Sequence, residues 1–84
     1  MTKVPLIAGA NPVKILSNDG DVQNNGSEPV NVYFALTGVV PSLEDSSFVL
    51  QPGSEPTTLW TNTNEAWAAV KGLSDGQLDV LEYV

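Results

Sequence analysis

The segment that decides the fold is the alternating heptapeptide Val30-Asn31-Val32-Tyr33-Phe34-Ala35-Leu36. Its apolar and more polar side chains follow one another with a period of two, which is the period of a β-strand that buries one face. We therefore predict a strand with one face in the core. The side chains expected to point inward are Val30, Val32, Phe34 and Leu36.

Turn-forming residues flank this segment and recur along the chain at intervals of about eight to twelve positions, a spacing typical of sandwiches and barrels. Between the turns lie short runs rich in β-branched and aromatic residues, which predict strands over residues 4–8, 13–17, 21–23, 30–37, 47–50, 57–61, 66–72 and 77–83. The predicted fold is all-β: a small antiparallel β-sandwich or jelly-roll-like barrel of about seven to eight short strands, in a single domain spanning residues 1–84.

The last predicted strand has an ambiguous pattern. Leu78-Asp79-Val80 alternates, but Leu81-Glu82-Tyr83-Val84 changes phase. The change indicates either a β-bulge or a strand that is apolar on both faces, and the second option implies a covering partner. A strand that continues to Val84 would also leave a pairing edge there.

The two tryptophans, Trp60 and Trp67, lie in consecutive predicted strands. Strands over residues 57–61 and 66–72 joined by a four-residue loop would form a hairpin in which Trp60 faces Trp67. A short helix over residues 64–71 is the alternative, because this segment is rich in alanine and begins with Asn64. The indole pair could fill the core, form a protein interface or stack against a sugar ring.

Composition excludes several partners. The chain has a net charge of −7, with three lysines, no arginine and ten acidic residues, so a nucleic acid backbone or an anionic lipid surface would be repelled. No stretch approaches the ~20 apolar residues that span a bilayer. We expect no nucleic-acid partner and no membrane association, and we expect the protein to be made in a cytoplasm.

The chemistry of the side chains argues against an enzyme. With no histidine and no cysteine, neither a Ser-His-Asp nor a Cys-His arrangement can form, and zinc sites built from those ligands are absent. The acidic turn Asn18-Asp19-Gly20-Asp21 offers oxygen ligands, but the residues that follow fail the EF-hand pattern at three positions. We expect no catalytic residues, no metal site and no cofactor.

The order of segments along the chain resembles that of small virion proteins of tailed bacteriophages, namely capsid decoration or cement proteins and related head-fibre and tail β-domains. The resemblance rests on a strand entry at residues 25–32, a Leu50-Gln51-Pro52-Gly53 turn, and the pair Ala66-Trp67-Ala68 and Gly76-Gln77-Leu78-Asp79-Val80 near the end. These are β-turn-β patterns, and together they cover nearly the whole chain.

The resemblance implies a bacteriophage structural protein that decorates the exterior of a virion capsid. It would bind the outer surface of the major capsid protein shell, stabilise it, and associate as a trimer or dimer. The alternatives are a tail-fibre or adhesin domain that binds host carbohydrate, and a generic protein-interaction domain. The expected interface residues are Val4, Leu6, Ile7, Tyr33, Trp60, Trp67, Leu81 and Tyr83.

Overall fold

The protein folds as a β-sandwich of two four-stranded antiparallel sheets, seen in a computed structural model that describes residues 1–62 and 64–83. No helix occurs in these residues. The eight strands are β1 (Thr2–Leu6), β2 (Val13–Leu16), β3 (Gly20–Gln23), β4 (Val30–Leu36), β5 (Phe48–Leu50), β6 (Thr57–Leu59), β7 (Asn64–Ala69) and β8 (Gly76–Glu82).

The strand order is β1-β8-β3-β6 in the first sheet and β2-β7-β4-β5 in the second. Strands β1 and β8, β2 and β7, β3 and β6, and β4 and β5 each pair antiparallel. Successive strand pairs therefore alternate between the two sheets. This is the order of an eight-stranded jelly roll, so the predicted all-β fold class is confirmed.

The core lies between the two sheets and is built from aliphatic side chains and alanines. Small residues of β7 allow the sheets to approach, since Ala66 and Ala68 are fully buried beneath larger neighbours. The buried cluster comprises Leu6, Leu16, Val22, Val30, Val32, Leu50, Leu59, Ala66, Ala68, Val70, Leu78 and Val80.

Two positions favour glycine, one for lack of space and the other for its backbone conformation. A Cβ at Gly20 would lie 2.5 Å from the Leu81 carbonyl oxygen and 2.7 Å from Leu16, so β3 can begin beside β8 only with glycine there. Gly53 has a φ of 74° in the turn after β5, a left-handed conformation that glycine adopts without strain.

The β6–β7 hairpin prediction is wrong. Strand β6 pairs with β3 in the first sheet, whereas β7 pairs with β2 and β4 in the second, so Trp60 and Trp67 do not face each other. The helical alternative is also wrong, since residues 64–69 form a strand. Both predictions came from the local sequence pattern, which does not show that the β6–β7 connection crosses from one sheet to the other.

The structure of β8 shows what the change in the alternation pattern near its end means. Its register with β3 is uninterrupted from Gly20 opposite Glu82 to Gln23 opposite Asp79, so the bulge alternative is wrong there, and Leu81 points outward and is exposed. An irregular register lies instead in β2, between Lys14 and Leu16. Strand β8 lies between β1 and β3 and is no sheet edge, while Val84 lies outside the described residues.

Candidate interaction surface

The register of the strands defines two ends of the sandwich. Leu36 pairs with Asn64, Leu16 with Ala66, and Gly20 with both Leu59 and Glu82. The β2–β3, β4–β5 and β6–β7 connections therefore meet at one end, which we call the apical end. The other four connections meet at the opposite, basal end.

The row of side chains on the inward face of β4 is buried at the start of the strand and exposed at the apical end. Val30 and Val32 are fully buried, but Phe34 is 41% and Leu36 62% exposed, although alternation places all four on one face. The prediction that Phe34 and Leu36 belong to the core is wrong. The facing sheet does not cover this end of the row, and sequence alternation carries no information about where a facing sheet stops.

Phe34 is part of an aromatic pair that sequence reasoning missed. Its ring stacks on that of Phe48, with centroids 6.0 Å apart and an interplanar angle of 28°. Phe48 begins β5, lies opposite Val32 and is partly exposed, and Trp60, 66% exposed, follows β6 at the same end. We call Phe34, Leu36, Phe48 and Trp60 together the apical surface. Large side chains exposed together in this way are typical of binding sites.

The 37–47 connection covers the outer face of the second sheet. The Tyr33 hydroxyl donates to the Leu43 carbonyl oxygen (2.7 Å), and the Asn31 amide donates to the Ser47 hydroxyl (3.1 Å). Tyr33 is buried, and burial is the main cause that raises its pKa above the usual 10.0. Tyr33 therefore stabilises this connection and is not available to a partner, which corrects its assignment as an interface residue.

A carboxylate holds the connection that carries Trp60. Asp19 Oδ1 accepts hydrogen bonds from the Thr61 amide (2.6 Å), the Thr61 hydroxyl (3.0 Å) and the Asn62 amide (3.4 Å). The Thr61 bonds hold the pKa of Asp19 below its ordinary 3.8. Asn62 has a φ of 55°, a left-handed conformation that asparagine tolerates better than most residues.

A second carboxylate fixes Tyr83, the residue that follows β8. Asp21 Oδ1 accepts hydrogen bonds from the Tyr83 hydroxyl and from the Thr58 hydroxyl, and these two bonds lower the pKa of Asp21. The same Tyr83–Asp21 bond is the main cause that raises the pKa of Tyr83 above 10.0. Glu82 Oε2 accepts from the Ser17 amide (2.6 Å), so carboxylates join three neighbouring segments at the apical end.

The carboxylates of the acidic turn that resembled part of an EF-hand already accept hydrogen bonds from this chain. The carboxylates of Asp19 and Asp21 accept hydrogen bonds from Thr61, Thr58 and Tyr83. Among residues 1–62 and 64–83, no group of three or more acidic side chains is placed to hold a metal ion.

The remaining predicted interface residues do not form one surface. Leu6 is buried in the core and Val4 packs against it, which corrects the assignment of Leu6 as a contact residue. Ile7 is exposed near the basal end, and Trp67 is half-buried on the outer face of the second sheet, beside Lys14 and Tyr33. Only Trp60, Leu81 and Tyr83 lie exposed at or near the apical end.

The basal end holds a polar groove between the β3–β4 and β7–β8 connections. It has a volume of about 550 Å³, opens widely to solvent, and is lined by Asn25, Gly26, Ser27, Asp75, Gly76 and Gln77. Asp75 is partly engaged, since its Oδ1 accepts from the Ala8 amide (2.8 Å). The lining contains no aromatic ring on which a sugar could stack.

Within the described ranges, the chain forms no helix of the length and apolar character needed to cross a bilayer. Comparisons with family models, with curated proteins and with solved structures found no match to this chain. The geometry of the apical surface is therefore what indicates a binding site.

Proposed function

We propose that the protein is a structural protein of a tailed bacteriophage, a capsid decoration protein that binds the outer surface of the major capsid protein shell and stabilises it. The observation that carries the proposal is the apical surface. There the apolar row of β4 leaves the core at the stacked pair Phe34 and Phe48, which are partly exposed, and Trp60 is exposed at the same end. Such a surface gains free energy when another protein covers it.

The rest of the molecule supports a binding role. The chain has neither histidine nor cysteine for nucleophilic catalysis, and its acidic composition favours the outside of a DNA-filled shell over the inside. A domain of 84 residues buries a modest fraction of its surface, so attachment to a particle or to further copies would add stability. The proposed location is the virion exterior, with a dimer or trimer as the bound form.

The decisive experiment is a binding titration with undecorated shells. Purified protein should bind them saturably and with fixed stoichiometry, and it should raise the temperature at which the shells disrupt. Leu36→Ser should weaken binding at least tenfold, because it removes an apolar contact at the proposed interface.

Leu73→Ser is the matched control. Leu73 is a fully exposed leucine in the β7–β8 connection at the basal end, so the same chemical change there should leave binding unaltered. No binding at micromolar concentration, or equal losses in the two variants, would refute docking through the apical surface.

A carbohydrate-binding adhesin of a tail or fibre is the second candidate. Trp60 favours it, because its exposed indole is followed by the polar Asn62, and an exposed indole can stack on a sugar ring. Titration with host polysaccharide, followed by tryptophan fluorescence, separates the two. Saturable quenching that disappears in Trp60→Ala, together with no affinity for shells, would favour the adhesin. A monomer that binds neither would be a generic interaction domain.

A further inference from the structure

Acidic side chains predominate near the apical surface. Asp19, Asp21 and Glu82 lie where the β2–β3 connection meets the end of β8, and Glu44 and Asp45 lie in the β4–β5 connection. Glu44 precedes Phe48 by four residues, which limits their separation along the chain to about 14 Å. This distance is comparable to the ~10 Å over which charges act at 0.1 M salt.

The positive groups do not balance these acids. The Met1 amine precedes β1, which is the opposite edge of the first sheet from β6 and Trp60. Lys14 pairs with Glu65 (3.2 Å) on the outer face of the second sheet. Lys3 lies opposite Asp79 in the register of β1 and β8, and Lys71 follows Val70 at the basal end. The apical surface is thus an apolar centre with an acidic border.

We infer that the partner surface docked at the apical end has the complementary chemistry, an apolar protrusion bordered by arginine or lysine side chains of another protein. This inference rests on the proposed docking role of the apical surface and adds the chemical nature of the partner. An apolar centre supplies affinity, while opposite charges at its border steer association and reject wrong partners.

A second copy of this chain does not fit the same place. Two apical surfaces brought face to face would set five carboxylates of one copy against five of the other, and like charges juxtaposed across an interface cost several kcal/mol. A dimer or trimer of the protein must therefore use a different surface.

Two glutamates allow a matched test. Glu44 at the apical end and Glu55 in the β5–β6 connection at the basal end are both exposed, and neither side chain takes part in a described hydrogen bond. Glu44→Lys and Glu55→Lys each change the net charge from −7 to −5. The negative charge of Glu44 also helps to raise the pKa of Tyr33, so the melting temperatures of both variants are compared with that of the unmodified protein before binding is measured.

The first measurement is the association rate of the whole protein with undecorated shells. Glu44→Lys should slow association about fivefold at low salt with little change in dissociation, and Glu55→Lys should leave both rates as in the unmodified protein. The difference should shrink as sodium chloride is raised. Equal effects of the two variants, or none, would overturn the inference while leaving shell docking intact.

The second measurement does not depend on shells. Two synthetic amphipathic helical peptides share one face of leucine and phenylalanine, and one peptide carries arginines at its flanks where the other carries glutamates. The arginine-flanked peptide should bind the protein and lose affinity in Glu44→Lys more than in Glu55→Lys. Equal binding of the two peptides would overturn the inference. Arginine-dependent binding without any shell binding would refute the decoration role and keep the charge complementarity.

Discussion

The two ends of the sandwich are closed by different chemistry. At the basal end, the fully buried Asn24 donates to the carbonyl oxygens of Glu28 (2.8 Å) and Leu50 (2.9 Å) and accepts from the Gly26 amide (3.0 Å). At the apical end, the corresponding links are made by the partly exposed carboxylates of Asp19 and Asp21 and the exposed one of Glu82, beside partly exposed aromatic rings. The basal end is thus closed by a buried side chain, whereas the apical end leaves large apolar side chains in contact with solvent.

Removing the basal link should have the largest effect on stability. Asn24→Ala leaves two carbonyl oxygens and an amide without partners in a buried site, so we expect the free energy of unfolding to fall by about 2–4 kcal/mol. Urea denaturation followed by circular dichroism measures this change.

The neighbouring asparagine provides the control for that substitution. Asn25 is exposed and bonds to Asp79 (2.7 Å) and Gln23 (3.3 Å) at the surface, so Asn25→Ala should cost less than about 1 kcal/mol. Similar losses in the two variants would mean that Asn24 does not close the basal end in the way described.

An aromatic truncation at the apical end should cost less than it would in a core. A buried Phe→Ala change typically costs about 3–5 kcal/mol, but Phe34 is 41% exposed, so we expect about 1–2 kcal/mol for Phe34→Ala. A double-mutant cycle with Phe48→Ala should give a coupling of about 0.5–1 kcal/mol from the stacked rings. A cost above about 3 kcal/mol would show that Phe34 is core and that the apical surface is covered in solution.

The fold was more predictable from sequence than this surface. All eight predicted strand segments overlap observed strands, because alternation and turn residues are local signals that this chain carries clearly. Phe34 and Leu36 obey the same alternation as Val30 and Val32, yet their burial depends on how far the facing sheet extends. That length is set by strands distant in sequence, and no local pattern encodes it.

The candidate contacts show the same limit. Trp60 is predicted as a contact because an indole is a recurrent anchor of interfaces, and it is exposed, but its supposed partner Trp67 belongs to the other sheet. Tyr33 was misassigned because a long connection folds back over it, and the Tyr33–Leu43 bond joins residues whose sequence gives no sign of contact. Surfaces made by such non-local packing become visible only in the folded chain.

Acid should weaken the apical end and leave the basal link unaffected. Because the folded-state pKa values of Asp19 and Asp21 lie below the ordinary 3.8, their contribution is complete above about pH 5 and is lost as the pH falls through the folded-state values. Asp19→Asn should therefore lower the melting temperature at pH 7, and this deficit should shrink as the pH falls below 3.8. A constant deficit of Asp19→Asn at every pH would contradict the prediction.

The smallest effect on stability is expected for Trp60→Ala. The indole is 66% exposed and follows the last residue of β6, so its removal should change the free energy of unfolding by no more than about 0.5 kcal/mol. The same variant should lose at least tenfold in affinity for the partner, since buried tryptophans are frequent anchors of interfaces. Urea denaturation and binding measured on one preparation test both statements. A small loss of stability with a large loss of affinity would show that Trp60 contributes to binding and not to the packing of the monomer. A large loss of stability in Trp60→Ala would show instead that Trp60 is part of the packed fold.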